Sequence, residues 1–283
     1  MPARAWPLFF PRLFFFAATD RISRNMNFLQ NFYQTFLSAL QSTYIVDNRW
    51  KIFLTGLQNT LIITLGALCL GVFIGIVVAV CKVYYYQMGS PGFFESLKFL
   101  VKTRRIQYLG QLTLKVLDSF LNLYLTVFRG TPVVVQIMIW AFVVFSSTNE
   151  ILVAIIGFGI NSGAYVSEIV RAGIMAVDKG QTEAGRSLGL SAWTTMRLIV
   201  LPQAFKNVLP ALSNEVIALL KETSIVGYVA VVDITKAASL VRARTFDAFV
   251  PLFFVAGFYL IMVIILTFFQ RRLEKALQAS DRK

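Results

Sequence analysis

Residues 183–204, EAGRSLGLSAWTTMRLIVLPQA, form a polar island between two apolar stretches of the chain. The pattern predicts a short helix over 181–190, with Thr182 as a candidate N-cap and Glu183 in the first turn. A threonine hydroxyl can accept a hydrogen bond from the free N–H groups there, and a carboxylate stabilises the positive end of the helix dipole. Gly189 is the candidate C-terminal stop, because glycine adopts the left-handed conformation that ends many helices.

A second helix is predicted directly after the first one. Ser191 is its candidate N-cap, and apolar residues recur up to Pro202, which we expect to break or kink the helix. Composition alone also fits an ordinary surface loop between two apolar stretches, and at this level it favours the loop.

The composition of the whole chain is that of a polytopic membrane protein. Hydrophobic residues make up 57% of the chain and charged residues 14%, and the mean hydropathy is +0.68, which is unlike an ordinary globular domain. The fold class predicted is all-α, with about five transmembrane helices over residues 61–80, 133–147, 151–170, 207–232 and 248–270. In the first of these, Gly71 and Gly75 form a small-xxx-small face suited to close helix packing.

Basic residues set the expected topology. They occur in short blocks, in 82–115, in 171–206 and in the C-terminal tail, which indicates cytoplasmic anchoring rather than nucleic-acid binding. We interpret 82–128 as a cytoplasmic loop with an amphipathic approach helix, and we expect Arg129 to extend toward lipid headgroups. Five spans then place the N-terminus and the 233–247 loop outside.

The N-terminal region does not fit this topology. Residues 1–25 contain four arginines and an apolar run too short to span a membrane, so we interpret them as an atypical extension and Met26 as the natural start. Residues 26–52 contain phenylalanines at near-helical spacing, which predicts an amphipathic helix on the membrane surface. The transmembrane domain is predicted over 53–275 and the cytoplasmic tail over 276–283.

Several kinds of chemistry are excluded by residue content. The chain has no histidine, which excludes histidine-based triads and most zinc sites, and we expect neither a catalytic residue nor a metal site. It has no G-x-x-x-x-G-K-[ST] loop, so nucleotide must bind another polypeptide. Cys69 and Cys81 lie in one apolar stretch, which indicates packing rather than a disulfide.

The polar island resembles a family signature. Glu183-Ala184-Gly185, followed by Gly189 and Ile199-x-Leu201-Pro202, is similar to the EAA motif of the membrane subunits of bacterial ABC importers, although the family usually has alanine in place of Gly185. Three further motifs resemble the polar amino acid permease branch: Arg129-Gly130-Thr131-Pro132 with Gln136, Asn161-Ser162-Gly163-Ala164-Tyr165 with Glu168, and Leu220-Lys221-Glu222-Thr223-Ser224.

The resemblance implies a permease subunit of an ABC importer for polar amino acids, in the histidine, glutamine and arginine branch, working by alternating access in a bacterial inner membrane. It makes 181–190 the coupling helix, with Glu183, Ala184, Gly185 and Gly189 as the residues that couple to an ATPase. The implied partners are an ATPase dimer, which binds ATP and magnesium, an extracytoplasmic amino-acid-binding protein, and a second copy or a homologous permease. This chain itself is expected to bind no cofactor.

Two predicted spans contain polar residues, which inside a membrane usually face the bundle interior or a pathway. We therefore predict a substrate path lined by Asn161, Tyr165, Glu168, Asn214, Glu215 and Glu222, the first three of which share one helix face at i, i+4 and i+7. Lys221 is an alternative, purely structural partner for the carboxylates. If they face the substrate instead, a cationic amino acid fits, while a glutamine-type substrate stays open.

Two other functions remain open from the residues alone. A non-transporting structural membrane subunit would share this composition, although it needs no polar stripes. Ser224 lies three residues after Lys221, which is compatible with the Ser–Lys dyad of an intramembrane hydrolase.

Overall fold

The computed structural model describes residues 30–87 and 107–281. Within those ranges the chain is helical and contains no strand. The predicted extension over 1–25, Met26, and residues 88–106 of the predicted cytoplasmic loop lie outside the described residues.

Ten α-helices follow one another in the described ranges. They are α1 (residues 30–40), α2 (Trp50–Gln87), α3 (Gln107–Gly130), α4 (Val133–Ile139), α5 (Glu150–Met175), α6 (Lys179–Ser187), α7 (Ala192–Thr195), α8 (Leu201–Glu222), α9 (Ile234–Thr245) and α10 (Phe249–Asp281). Wider π-helical turns continue α1, α4 and α7, over Gln41–Ile45, Trp140–Val144 and Met196–Val200, and a 3-10 helix at Thr223–Val229 continues α8.

Three helices are long and apolar enough to cross a membrane, and two bent helix pairs raise the number to five. The single spans are Trp50–Tyr86, Glu150–Met175 and Phe249–Leu277. The bent pairs are Thr113–Gly130 with Val133–Val144, at 110°, and Ala192–Val229 with Ile234–Thr245, at 47°. This arrangement confirms the predicted all-α, polytopic fold class.

The second span differs from its prediction. Residues 133–147 supply only the second half of a bent pair, whose first half is α3 in the segment that we interpreted as a cytoplasmic loop. The sequence did not indicate that α3 is part of a span, because Lys115, Asp118 and Asn122 lower its hydropathy. Lys82 of α2 compensates part of this polarity, since its Nζ lies 3.4 Å from Asp118 Oδ1 and donates to Asn122 Oδ1 at 2.5 Å.

Small residues let α2 and α5 pack closely along much of their length. A Cβ atom added at Gly75 would lie 2.5 Å from Val166 Cγ1, and one added at Gly71 would lie 3.0 Å from Ser162 Cβ. The small-xxx-small face predicted in the first span is therefore confirmed as a packing face. This packing fixes the position of α5, which supplies most of the polar residues described below.

The 233–247 segment, predicted as a loop, is the helix α9. Asp233 is fully buried and caps the helix, accepting hydrogen bonds from Thr235 N at 3.0 Å and Lys236 N at 2.8 Å. The buried face of α9 is formed by Ile234, Ala237, Ala238 and Val241. The prediction missed the helix because its second half is rich in arginine and threonine and resembles an exposed loop in composition.

Candidate functional site

The candidate coupling helix is α6, and it begins earlier than the predicted 181–190. Asp178 caps it, because Asp178 Oδ1 accepts a hydrogen bond from Gly180 N at 2.7 Å. The prediction of Thr182 as N-cap is therefore wrong. An aspartate is as good a cap as a threonine, and here it lies a turn earlier, directly after the preceding span.

The turn after α6 follows the prediction. Gly189 has a φ of +82°, the left-handed conformation that ends the helix, and Ser191 Oγ accepts a hydrogen bond from Thr194 N at 3.1 Å. The second helix does not end at Pro202. It widens into a π-helical turn that continues into α8, and Pro202 lies in the first turn of α8, where proline is tolerated.

The absence of a side chain at Gly185 lets α6 rest directly on the next helix. A Cβ atom there would lie 2.7 Å from Thr195 Cγ2 and 2.9 Å from Ile199 Cδ1. The exposed residues of this helix pair include Glu183, Ala184, Leu188 and Trp193. Leu188 is 81% exposed and Trp193 71%, so the two helices present a surface of charged and apolar side chains that nothing in the described chain covers.

The break between α3 and α4 is closed by side-chain amides. The bend and Pro132 leave carbonyl groups at the end of α3 without helical partners. Gln136 Nε2 donates to the carbonyl oxygens of Phe128 and Thr131, each at 3.0 Å. Asn161 Nδ2 of α5 donates to the same Phe128 oxygen and to Gln136 Oε1, each at 2.9 Å. Both amides are buried, so the break is a defined structure near the middle of α5.

Arg129, in the last turn of α3, contacts protein groups of α5, in contrast to the predicted extension toward headgroups. Its guanidinium lies 5.6 Å from the ring centre of Tyr165, and its Nη1 lies 3.9 Å from Glu168 Oε2. Arg171 holds that carboxylate more closely, with Nη2 2.7 Å from Oε2 and Nε 3.4 Å from Oε1. Arg129, Tyr165 and Glu168 line a cavity of about 470 Å³ between α3 and α5.

A second cavity, of about 750 Å³, extends from this ion pair to the coupling helix. Glu168 and Arg171 line one part of it, and Lys179, Thr182 and Glu183 of α6 line another. Glu168 therefore borders both cavities. A shift of α6 would change the walls of a space that reaches directly to Glu168.

The polar residues of α8 face two different neighbours. Glu215 Oε1 accepts a hydrogen bond from Ser162 Oγ of α5 at 2.7 Å, and Glu222 follows seven residues later, on the same side of the helix. Asn214 Oδ1 instead accepts from Gln270 Nε2 of α10 at 3.0 Å. Asn214 is therefore directed away from the α5 side of the bundle.

The six residues of the predicted substrate path thus do not share one cavity. Tyr165 and Glu168 line the 470 Å³ cavity, while Asn161 and Asn214 are engaged by neighbouring side chains. The assignment of all six to a substrate path stays a prediction. Arg129 was missed as a member of the cavity, although a charged residue three positions before a proline in an apolar region is a usable signal.

A match to a family model decides the class of this protein. Residues 108–279, more than half of the chain, match the family described as "Binding-protein-dependent transport system inner membrane component". The chain belongs to this family. Its members are permease subunits of ABC transporters, so it is a multi-pass membrane protein that acts with a separate ATPase and a substrate-binding protein and is not itself an enzyme.

Among individual relatives, the similar proteins include permeases named for arginine and for glutamine transport. The arginine transport system permease protein ArtQ of Bacillus subtilis is 34% identical over 232 residues, covering 81% of this chain and 93% of that protein. The glutamine transport system permease protein GlnP of Escherichia coli is 38% identical over 160 residues, covering 55% of this chain and 73% of that protein.

Solved structures agree on the fold. A crystal structure of an amino acid ABC transporter with histidines is 32% identical, with a TM-score of 0.67, and covers 85% of this chain and 98% of that one. An inward-facing structure of the MetNI methionine ABC transporter is 18% identical with a TM-score of 0.60, covering 81% of this chain and 97% of that one, and it bears on the fold alone. None of these matches supports a structural subunit or a Ser–Lys hydrolase.

Proposed function

We propose that this permease imports polar amino acids, cationic ones among them, across a bacterial inner membrane. Relatives and a solved structure whose names specify arginine, glutamine or amino acid transport support this substrate class. The structural observation that carries the proposal is the position of Glu168, which borders both the cavity with Tyr165 and the cavity that reaches α6. Such a residue is suited to link a substrate path to the coupling helix.

The ATPase is proposed to dock on α6 and the turn after it. Glu183 supplies an anionic contact, Ala184 a flat exposed surface, Gly185 the close packing on α7, and Gly189 the sharp turn. A helix that rests rigidly on the next helix can transmit a displacement, and closure of an ATPase dimer on ATP and magnesium would supply it. We propose two permease copies, or this chain with a homologue, around the path.

The substrate path is proposed to be lined by residues of α5 and α8, with Tyr165 and Glu168 on the α3 side of α5 and Glu215 on its α8 side. Asn161, Tyr165 and Glu168 belong to α5, and Asn214, Glu215 and Glu222 belong to α8. Glu168 is neutralised by Arg171, whereas Glu215 is held by a hydroxyl rather than by a cation. An uncompensated carboxylate in a span attracts a cationic group, which favours a basic amino acid. Alternatively, Lys221 neutralises the carboxylates in a purely structural role. The path would then have no preference for a cation and would also accept glutamine-type substrates.

The decisive experiment is to purify the chain from its host in mild detergent with whatever accompanies it and to reconstitute the complex in liposomes. ATP hydrolysis is then measured with the binding protein and each candidate amino acid. We expect a co-purifying ATPase that one polar amino acid stimulates, together with its uptake. A chain that purifies without an ATPase, or an ATPase that no amino acid stimulates, would contradict the proposal.

A further inference from the structure

The guanidinium of Arg129 has unused hydrogen-bonding capacity. Arginine carries five N–H donors in a planar fork, yet among the described residues Arg129 donates no hydrogen bond. Its nearest acceptor, Glu168 Oε2, lies 3.9 Å away and is already bound by Arg171 at 2.7 Å. The Arg129 side chain is also 42% exposed. A cation is thus held beside a cavity while its neighbouring carboxylate is neutralised by another residue.

The surroundings hold this guanidinium in place and leave its donors accessible. The ring of Tyr165 lies 5.6 Å from it, at the distance of a cation–π contact. Arg129 lines the cavity and its side chain is partly exposed, so its donors remain accessible. The cavity volume of about 470 Å³ falls in the range of roughly 300–1,000 Å³ that is usual for small-molecule sites.

The position of Arg129 is fixed by the backbone, because the residues on both sides of it are tied down. Phe128 O accepts hydrogen bonds from Gln136 and Asn161, and Thr131 O accepts one from Gln136. Gln136 and Asn161 therefore act as positioning residues for Arg129. The buried amide pair therefore holds the helix break, and with it the backbone of Arg129, beside the cavity.

We propose that Arg129 binds the α-carboxylate of the transported amino acid, with two parallel hydrogen bonds from its fork. Glu168 lies next to it, and its carboxylate, although paired with Arg171, has further lone pairs that can accept a hydrogen bond from the α-ammonium group. The ligand class is the zwitterionic backbone that glutamine and arginine share, so this cavity recognises an α-amino acid whatever its side chain. The inference rests on the proposed function and adds its recognition site.

The test uses the intact permease–ATPase complex in nanodiscs without the binding protein. Equilibrium binding of radiolabelled L-arginine and L-glutamine is measured, with competition by the α-decarboxylated analogue of each. On the unmodified complex we expect the analogue to compete at least about 30-fold less well than its parent. In Arg129→Gln we expect the parent amino acid to bind more weakly, so that it and its analogue compete almost equally. Arg129→Lys should restore part of the difference between them. Arg197→Gln, which removes an exposed charge on the turn after α7, is the matched control and should bind like the unmodified complex.

The outcomes separate the two claims. Absence of binding of either amino acid to the unmodified complex contradicts the recognition site, whereas the proposed function fails only if no amino acid stimulates ATP hydrolysis with the binding protein present. Binding of one amino acid together with equal competition by its decarboxylated analogue overturns only the role of Arg129. The competition measurement on the unmodified complex needs no variant, so it tests the inference even if Arg129→Gln fails to fold. An unchanged Kd in a folded Arg129→Gln complex would overturn the inference in the same way.

Discussion

At the residue scale, the carboxylate of Glu183 is available to a partner subunit. Glu183 is exposed on α6 and, among the described residues, forms no ion pair. Replacement Glu183→Lys reverses the charge at the proposed ATPase contact without disturbing a packed side chain. We expect uptake per ATP hydrolysed to fall about tenfold or more, because a like-charge contact separates α6 from its partner. Parallel assays of uptake and hydrolysis in proteoliposomes measure this.

The matched control for that substitution is Gln181→Lys, which introduces the same cationic side chain at another exposed position of α6. It should change the coupling ratio much less than Glu183→Lys. Thermal unfolding of both variants in detergent should match the unmodified protein, since surface substitutions rarely change stability by more than about 0.5 kcal/mol. Normal uptake in Glu183→Lys would exclude the proposed anchor role.

Glu215 offers a test of substrate charge. Its Oε1 accepts a hydrogen bond from Ser162 Oγ, and the amide oxygen of a glutamine can accept the same bond. Glu215→Gln therefore removes the charge and keeps the contact. If the path favours cationic amino acids, their uptake should fall about tenfold while uptake of neutral polar amino acids changes little, as competition assays would show. Intact uptake of every cationic amino acid in this variant would contradict the proposed charge selection.

At the element scale, the helix break between α3 and α4 depends on a few hydrogen bonds. Gln136→Met keeps the side-chain length but removes every hydrogen bond that the amide makes, which leaves Thr131 O without that donor. We expect a loss of about 1–3 kcal/mol in the free energy of unfolding. Asn161→Leu should cost a similar amount, and the double variant less than the sum, because the two amides contact each other. Gln181→Leu on exposed α6 is the control and should leave the free energy of unfolding nearly unchanged. If the losses of Gln136→Met and Asn161→Leu add in the double variant, the two amides do not form a shared network.

The contact between α6 and α7 makes a second prediction at this scale. In Gly185→Ala the new methyl would lie 2.7 Å from Thr195 Cγ2, and buried threonine is stiff about χ1. We expect a net loss of about 1 kcal/mol, because the clash outweighs the better helix propensity of alanine. Adding Thr195→Ser removes the opposing methyl and should recover most of that loss. Unfolding midpoints of both single variants and the double variant test this, and no coupling between the sites would contradict it.

Helices that are apolar along most of their length could be predicted from the sequence. Helices that combine apolar and charged residues could not. The spans that became α2 and α10 were identified because an uninterrupted apolar run of that length has few other structures available, and α5 was identified because its few polar residues leave a mostly apolar run. By contrast, α3 and α9 combine a buried apolar face with charged residues, and their partners lie far along the chain. Lys82 with Asp118 is such a pair. Hydropathy averages over both faces of a helix, so it cannot reveal which charges are compensated.

At the scale of the whole molecule, the coupling surface and the polar cavity lie on one continuous structure. The close packing of α2 on α5 holds Glu168 at a fixed place, and α5 leads through Asp178 directly into α6. A displacement of α6 is therefore transmitted to a span rather than absorbed by a flexible loop. Part of this was predictable, because the motif letters identified α6. The convergence of Arg129 and Glu168 was not, because it depends on how α3 packs against α5, which is distant in sequence.

Topology provides the last prediction, because the alternating-access proposal requires α6 inside and the end of α9 outside. Leu188 follows α6 and is 81% exposed, and Phe246 follows α9 and is 94% exposed. Single cysteines at these positions show on which side of the membrane each one lies. The background is a variant with Cys69 and Cys81 replaced by alanine. A membrane-impermeant thiol reagent should label Phe246→Cys in intact cells and Leu188→Cys only after permeabilisation. Labelling of both from outside would contradict the five-span topology. The reverse pattern would mean that the arginines before Phe246, rather than the basic 171–206 segment, determine the cytoplasmic side.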